Sequence, residues 1–212
     1  KQQESLVFDS AVDGWRNGEK VDIPFVERGL ERDYARGPDT APITVVEYSD
    51  LECPACRKFY SDFEELAARF PGKIRLVFKN FPLDDDCNPL IDRRFHESAC
   101  RAAMFARCAG EQGKFWEALD YLFRLPEMES GSAQEARSGI DSGGAALDLD
   151  EVALKECVDS RRHAPKLASD AREGERLGVE GTPSLWVNGR RLEIVNISIL
   201  ESIFREILEK GK

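Results

Sequence analysis

Several things are scarce in this chain of 212 residues. Histidine occurs only twice, at His96 and His163, and the two are isolated from each other in sequence. A structural zinc site needs four nitrogen or sulfur ligands at metal spacing. With no second C-x-x-C and no paired histidines, no metal is expected. No apolar run approaches the ~18 residues of a membrane-spanning helix. The opening Lys1-Gln2-Gln3-Glu4 carries no apolar segment of a secretory leader. Basic residues are outnumbered, 30 against 40 acidic, for a net charge of -10. A nucleic-acid binder would show a basic patch instead, so no nucleic-acid partner is expected. The acidic excess reads as solubility. Internal repeats are absent.

What is present is an ordinary soluble composition, 42% hydrophobic and 33% charged. The length suits one domain with a full core, or one carrying an insertion. Six cysteines, an even number, suit an oxidising compartment. The expected location is therefore periplasmic or otherwise extracytoplasmic, with any signal peptide or anchor absent from the chain as given.

Residues 1–40 are polar and read as an N-terminal extension packed on the domain, with turns at Asp13-Gly14-Trp15 and Asn17-Gly18. The β-branched run Ile43-Thr44-Val45-Val46-Glu47-Tyr48 predicts a buried strand. Phe59, Tyr60, Phe63, Leu66, Ala67 and Phe70 lie on one face of a helix, stopped by Pro71-Gly72. Ile74 to Phe78 predicts a second strand, and strand–helix–strand implies a βαβ unit. From about 83 to 177 the spacing is mostly helical: Ala99 to Ala109, then Phe115, Trp116, Leu119, Leu122 and Phe123, then Val152, Cys157 and Val158, then Leu167, Ala168, Ala171 and Leu177. Residues 129–146, rich in glycine, serine and alanine, read as a mobile loop. Ser184 to Val187 and Arg191 to Val195 flank Asn188-Gly189, a strong hairpin signal. Leu200, Ile203, Phe204, Ile207 and Leu208 predict a last helix.

The chemistry centres on Cys53-Pro54-Ala55-Cys56, between the first strand and the first helix. The thiolate is the species that attacks or leaves in disulfide exchange. A helix N-terminus offers unpaired N–H groups and partial positive charge to stabilise it. Pro54 suits the first turn because it has no N–H to satisfy. Cys56 sits on the same side of that turn and can resolve a mixed disulfide at Cys53. An inert disulfide or half a zinc site is the competing reading of the pair. The second piece is Gly181-Thr182-Pro183, a proline directly before a strand, where a cis X-Pro bond is common in tight turns.

Together these residues resemble a known family. Val45 to Cys56, Gly113-Lys114-Phe115-Trp116, Leu177 to Ser184 and Val187-Asn188-Gly189 are similar to the DsbA-type thiol:disulfide oxidoreductases, over about residues 40–212. The resemblance implies an α/β, thioredoxin-like fold (β-α-β, then β-β-α) with an inserted helical subdomain at about 83–177, in a single domain over 41–212. It implies that Cys53 is the exposed nucleophile and Cys56 its buried partner. It implies that Pro183 is cis beside the sulfurs and that the Thr182 backbone pairs with substrate, with Pro54 and Ala55 at the same surface. Glu47 takes the place of the family's buried acid, which handles the proton of the second cysteine. Alanine at 55 departs from DsbA proper, where a histidine helps hold the thiolate. The implied activity is disulfide donation to reduced or unfolded cysteine-containing proteins. Reductase or isomerase action, or a redox-inert peptide-binding module, are the alternatives. The redox-active disulfide would serve with no other cofactor, in a monomer reoxidised by a membrane quinone-linked oxidase, DsbB-like or vitamin K epoxide reductase-like.

Cys87, Cys100, Cys108 and Cys157 allow three pairings. The resemblance favours Cys108–Cys157, since some relatives carry a bridge across the helical block at similar positions, and so leaves Cys87–Cys100. A shorter match, Cys87-Asn88-Pro89 with His96 to Cys100, resembles thioredoxin-like domains that work with vitamin K epoxide reductase homologues. Both bridges are expected to be structural, with a second redox relay through Cys87 or Cys100 as the alternative. Closing loops of these sizes stabilises by about 4 and about 3 kcal/mol on chain-entropy grounds. Phe115 and Trp116 are expected in the core, and Trp186 in the core or along a peptide groove. Asp84-Asp85-Asp86 reads as a solvated loop, and Asn196-Ile197-Ser198 fits a glycosylation sequon.

Overall fold

The computed structural model describes residues 2–25, 29, 32–126, 128 and 131–211. Strand β2 (Ile43–Ser49) is the centre of a five-stranded sheet. It runs parallel to β3 (Ile74–Asn80), in register from Ile43 opposite Ile74 to Ser49 opposite Asn80. Helix α2 (Pro54–Ala68) makes the crossover. On its other edge β2 pairs antiparallel with β4 (Ser184–Val187). The short β5 (Arg190–Leu192) completes a hairpin with β4. A strand paired on both edges and covered on both faces is drawn mostly from apolar and β-branched residues, as 43–49 is except at Glu47 and Ser49. The hairpin turns at Asn188 and Gly189, with φ of 49° and 78°. These positive values are what a two-residue primed turn requires.

The last strand is shorter than its apolar run predicts. β5 ends at Leu192, and Ile194 and Val195 are exposed. The chain must leave the edge there because Asn196 caps helix α8 (Ile197–Lys210): its side chain accepts the N–H groups of Ser198 and Ile199. The asparagine of the sequon is thus committed as a helix cap.

One face of the sheet packs Val45, Leu76 and Leu185 against Phe63 and Leu66 of α2 and Ile203 and Phe204 of α8. The other face packs Val46, Tyr48, Val77 and Trp186 against Ala171. That alanine lies on helix α7 (Ala164–Arg176). Trp186 is 2% exposed and meets the Tyr48 ring edge-on, so it is core and lines no groove.

The helical block comprises α3 (Ala99–Glu111), α4 (Phe115–Arg124), α5 (Ala133–Ala146), α6 (Glu151–Asp159) and α7. Alanine dominates α3 because it is buried on nearly every side. Residues 129 and 130 lie outside the described residues. The rest of the expected loop is corrected: from Ala133 to Ala146 it is helix. Ser132 and Glu135 form a reciprocal capping box at its start. The glycines that suggested a loop are sites of close approach. A Cβ on Gly143 would stand 2.6 Å from Phe105 Cζ and 2.7 Å from Tyr121 Cε1. Gly143→Ala should therefore destabilise by about 1–3 kcal/mol through overpacking, although alanine is the better helix former. Denaturant unfolding would measure this, and a stabilised variant would contradict it.

The N-terminal region carries regular structure that its polar composition hid. Helix α1 (Gln2–Asn17) runs through the turn expected at Asp13-Gly14-Trp15. Phe8, Ala11, Val12 and Trp15 form its packed face against α8 and the sheet. Trp15 Nε1 donates to the Val187 carbonyl at 3.2 Å. Strand β1 (Tyr34–Arg36) adds antiparallel to β3. Just before it, Asp33 is 2% exposed and bridges Lys79 (2.8 Å) and Lys166 (2.6 Å). Lys166 also meets Asp170 at 2.6 Å, and Lys79 meets Glu173 at 3.1 Å. Buried charges persist only when paired in this way. Among the described residues, no helix is long and apolar enough to cross a membrane.

Candidate active site

The site forms where β2 ends and α2 begins. Asp50 shapes the turn between them. Its Oδ1 accepts the Glu52 N–H at 2.7 Å, and its backbone carbonyl accepts the Cys53 N–H at 3.2 Å. Cys53 is the N-cap of α2 in extended conformation (φ -73°, ψ 122°), and Pro54 is the first helical residue. The Cys53 thiol points at the carbonyl of Thr182, 3.5 Å away. Thr182-Pro183 is a cis peptide, so two sequence-distant motifs meet at one sulfur.

The two cysteines are unbonded and unequal. The expectation of an exposed Cys53 is corrected: with the Thr182 carbonyl against its sulfur it is buried, at 8% exposed, and Cys56 is fully buried. The Cys56 thiol hydrogen-bonds to Cys53 and holds its pKa down to about 5 against the opposing effect of burial. The Cys56 backbone N–H, the Thr182 hydroxyl and the Ala55 N–H add to this. Unpaired first-turn amides aimed at an anion are the expected source of such help. Cys56 is pushed the other way, first by burial and then by its donation to Cys53. Its sulfur accepts the Asp50 N–H at 3.5 Å.

Glu47 lies on β2 beneath this pair and is fully buried. Burial raises its pKa to about 8; the Ser49 hydroxyl opposes the shift, and negative charge on Cys53 adds to it. Among the described residues, neither Glu47 carboxyl oxygen has a hydrogen-bond partner at close range. A buried carboxyl in this state stays protonated at neutral pH; once ionised, its negative charge pushes the Cys56 thiol higher still.

The remaining cysteines are joined as Cys87–Cys100 and Cys108–Cys157. The second bond ties α3 to α6. One group of three possible metal ligands occurs among the described residues, Cys108, Cys157 and His163. Both of its sulfurs are consumed by the disulfide, and His163 Nε2 lies 2.8 Å from Glu111. The first bond anchors the start of α3, where the Cys100 N–H donates to Asp84 at 3.1 Å. The expectation of a solvated acidic run is corrected at Asp84, which is 2% exposed because a helix N-terminus and Arg94 hold it. Asp85 and Asp86 are exposed.

His96 also departs from expectation. Isolated in sequence, it is in contact with the site: its Nδ1 stands 2.9 Å from Asp50 Oδ2, 46 positions away. No local pattern announces that pairing. The one available hint is Asp50 itself, an acid three residues before Cys53 that needs a partner if buried.

A family profile described as Thioredoxin matches residues 30–206. The chain belongs to the thioredoxin family. Within it, the chain is DsbA-like, with the helical block inserted between the βαβ unit and the β4–β5 hairpin. Oxidised BdbD from Bacillus subtilis superposes with a TM-score of 0.70 at 22% identity, over 90% of this chain and 99% of that one. Pseudomonas aeruginosa DsbA2 gives 0.64 at 25% identity, over 85% and 97%. A thioredoxin-like oxidoreductase from Silicibacter pomeroyi gives 0.67 at 24%, over 84% and 92%. By sequence, this thioredoxin-family chain is 39% identical over 163 residues to a protein named Na(+)/H(+) antiporter NhaA 1 from Salinispora arenicola. That match covers 76% of this chain and 22% of the antiporter. The chain thus spans about a fifth of the length of the first curated relatives it matches.

Proposed function

We propose that this chain, a DsbA-like thiol:disulfide oxidoreductase by family, works as an extracytoplasmic disulfide donor to reduced, cysteine-containing proteins. The observation that carries the reading is the inequality of the two sulfurs: Cys53 is held as a thiolate at a helix tip and Cys56 is buried as a thiol. Starting from the Cys53–Cys56 disulfide, a substrate thiolate attacks Cys53 Sγ and the bond between the two cysteines breaks. Cys56 leaves and takes up a proton, for which Glu47 is the adjacent donor. A second substrate thiolate then attacks the substrate sulfur bonded to Cys53, and Cys53 leaves as a thiolate. The substrate has lost two electrons and the protein has gained two. A stable Cys53 thiolate is a good leaving group and draws the equilibrium toward substrate oxidation.

The substrate backbone would lie along Thr182, whose carbonyl already faces Cys53. A cleft of about 380 Å³ adjoins this edge, lined by Ala55, Lys58, Phe59, Pro183, Val195 and Ile197. The Val195 that the hairpin leaves exposed is therefore available to a peptide side chain. The two further disulfides support an oxidising compartment. Reoxidation by a membrane quinone-linked oxidase, DsbB-like or vitamin K epoxide reductase-like, would complete the cycle, with the protein acting as a monomer and with no cofactor beyond its own disulfide.

Cys56→Ser tests the reading. With Cys53 first loaded as a mixed disulfide with glutathione, the variant should exchange with reduced unfolded proteins. A substrate thiolate attacks Cys53 Sγ, glutathione leaves, and without the Cys56 sulfur the protein–substrate mixed disulfide should accumulate, seen as thiol-sensitive adducts on non-reducing gels. Absence of adducts would favour a redox-inert peptide-binding module. Equilibration of the unaltered protein with glutathione buffers, read by alkylation, separates donor from reductase.

A further inference from the structure

Two observations near the dithiol have no part in the exchange steps above. His96 is held against Asp50, and it is carried by the loop that the Cys87–Cys100 bond closes. Asp50 is committed on three sides. Oδ1 accepts the Glu52 N–H, while Oδ2 accepts the Leu83 N–H at 2.6 Å and faces His96 Nδ1 at 2.9 Å. Three donors on a fully buried carboxylate fix the imidazole through Nδ1. The same Asp50 donates its backbone N–H to Cys56 Sγ. The histidine and the dithiol are thus mounted on one residue. Ala55, between the cysteines, offers the thiolate its backbone N–H but has no side-chain group that could hydrogen-bond to it or carry a charge.

We propose that His96, oriented by Asp50 and clamped by the Cys87–Cys100 loop, is a positioning residue that places an imidazolium charge beside the Cys53 thiolate, a role Ala55 cannot fill. The inference rests on Cys53 being the reactive thiolate. The charged groups that face His96 are Asp50 from the turn after β2, Glu52 beside it, and Cys53 at the start of α2. The hydrogen bond to Asp50 raises the pKa of His96 above its ordinary range, burial opposes, and Glu52 and Cys53 add to the rise. Glu52, itself raised by burial, is held by the Ser98 N–H at 2.7 Å. The imidazole therefore keeps its charge to a higher pH than an ordinary histidine. It loses that charge, and its hold on the thiolate, as the pH rises through its raised value.

The coupling is reciprocal: if the thiolate favours the imidazolium, the imidazolium favours the thiolate by the same factor. This gives a test on the unaltered protein. It has only two histidines, so the imidazole resonances of His96 and His163 can be told apart by NMR with the His96→Gln variant as reference. His96 should titrate higher in the reduced protein than in the oxidised one, and equal values would overturn the proposal. In glutathione equilibria, His96→Gln should shift the balance toward the disulfide about 3- to 10-fold at pH 6, as expected for up to one pKa unit on Cys53. The tenfold limit corresponds to ~30 mV. At a pH above the titration that NMR gives for His96, where the imidazole is neutral, the variant and the unaltered protein should converge. His96→Lys should stay close to the unaltered protein at pH 6. A purely structural role would move both pH values alike and would not be rescued by lysine, and either result sinks the proposal. If instead the unaltered Cys53 shows no low-pH thiolate, the failure lies with the proposed function.

Discussion

Cys53→Ala is expected to lose disulfide transfer by at least ~10³-fold, the scale on which removing a nucleophile acts. Cys56 cannot take over, since it is fully buried and its thiol is pushed well above the ordinary range by burial and by its bond to Cys53. The same variant should lose the thiolate absorbance near 240 nm that reduced protein would gain as the pH rises through about 5. Stability should follow. The folded thiolate forms at about 5, well below an unfolded thiol at ~8.5. Its contribution to the reduced protein is therefore present in full above pH ~8.5 and is lost as the pH falls through 5. The difference in unfolding free energy between reduced protein and variant should shrink over that window. A variant that still transfers disulfides would place the chemistry elsewhere.

Glu47→Gln should have the opposite character and a stability effect as large. Burial raises the Glu47 pKa from 4.5 to about 8, so folding favours its neutral form. The stability associated with this group is fully present below pH 4.5 and is lost as the pH rises through 8. Glutamine keeps the shape and never ionises. The variant should match the parent near pH 4.5 and exceed it increasingly up to pH 8. The expected ceiling is on the order of 5 kcal/mol, from roughly three and a half pKa units at 1.36 kcal/mol each. Denaturant titrations at pH 4.5, 6 and 8 would measure it. A pH-independent difference would mean that Glu47 does not titrate where its burial places it. The cost should fall on exchange, because Cys56 would lose its neighbouring proton donor.

The parts of this site that the sequence makes legible are those encoded locally. A buried central strand declares itself by seven residues of mostly apolar and β-branched character, and Cys53 follows it at a helix start marked by Pro54. The hairpin is legible through Asn188-Gly189 for the same reason. Elsewhere the meaning of a residue depends on what packs against it. Gly139 and Gly143 look like loop residues until Leu125, Phe105 and Tyr121 are set against them. Phe8, Ala11, Val12 and Trp15 have helical spacing, but so much polar sequence surrounds them that two glycine turn signals outweigh it. His96 gains its place through Asp50, a contact closed by the tertiary fold and clamped by a disulfide. Ile194 and Val195 have the composition of a strand and become surface because a helix cap follows at once.

The ion pairs around Asp33 bear on where this folding unit starts. Lys79 and Lys166 are both sealed in the interior, and Asp33 is the carboxylate that touches each of them. A fragment trimmed to begin at residue 41 would keep Cys53 and Cys56, both ammonium groups and the whole helical block. It would have removed the anion that, among the described residues, the two cations share, together with the edge strand paired to β3. The forty residues that look dispensable by composition therefore include the counterion on which the interior behind the sheet relies.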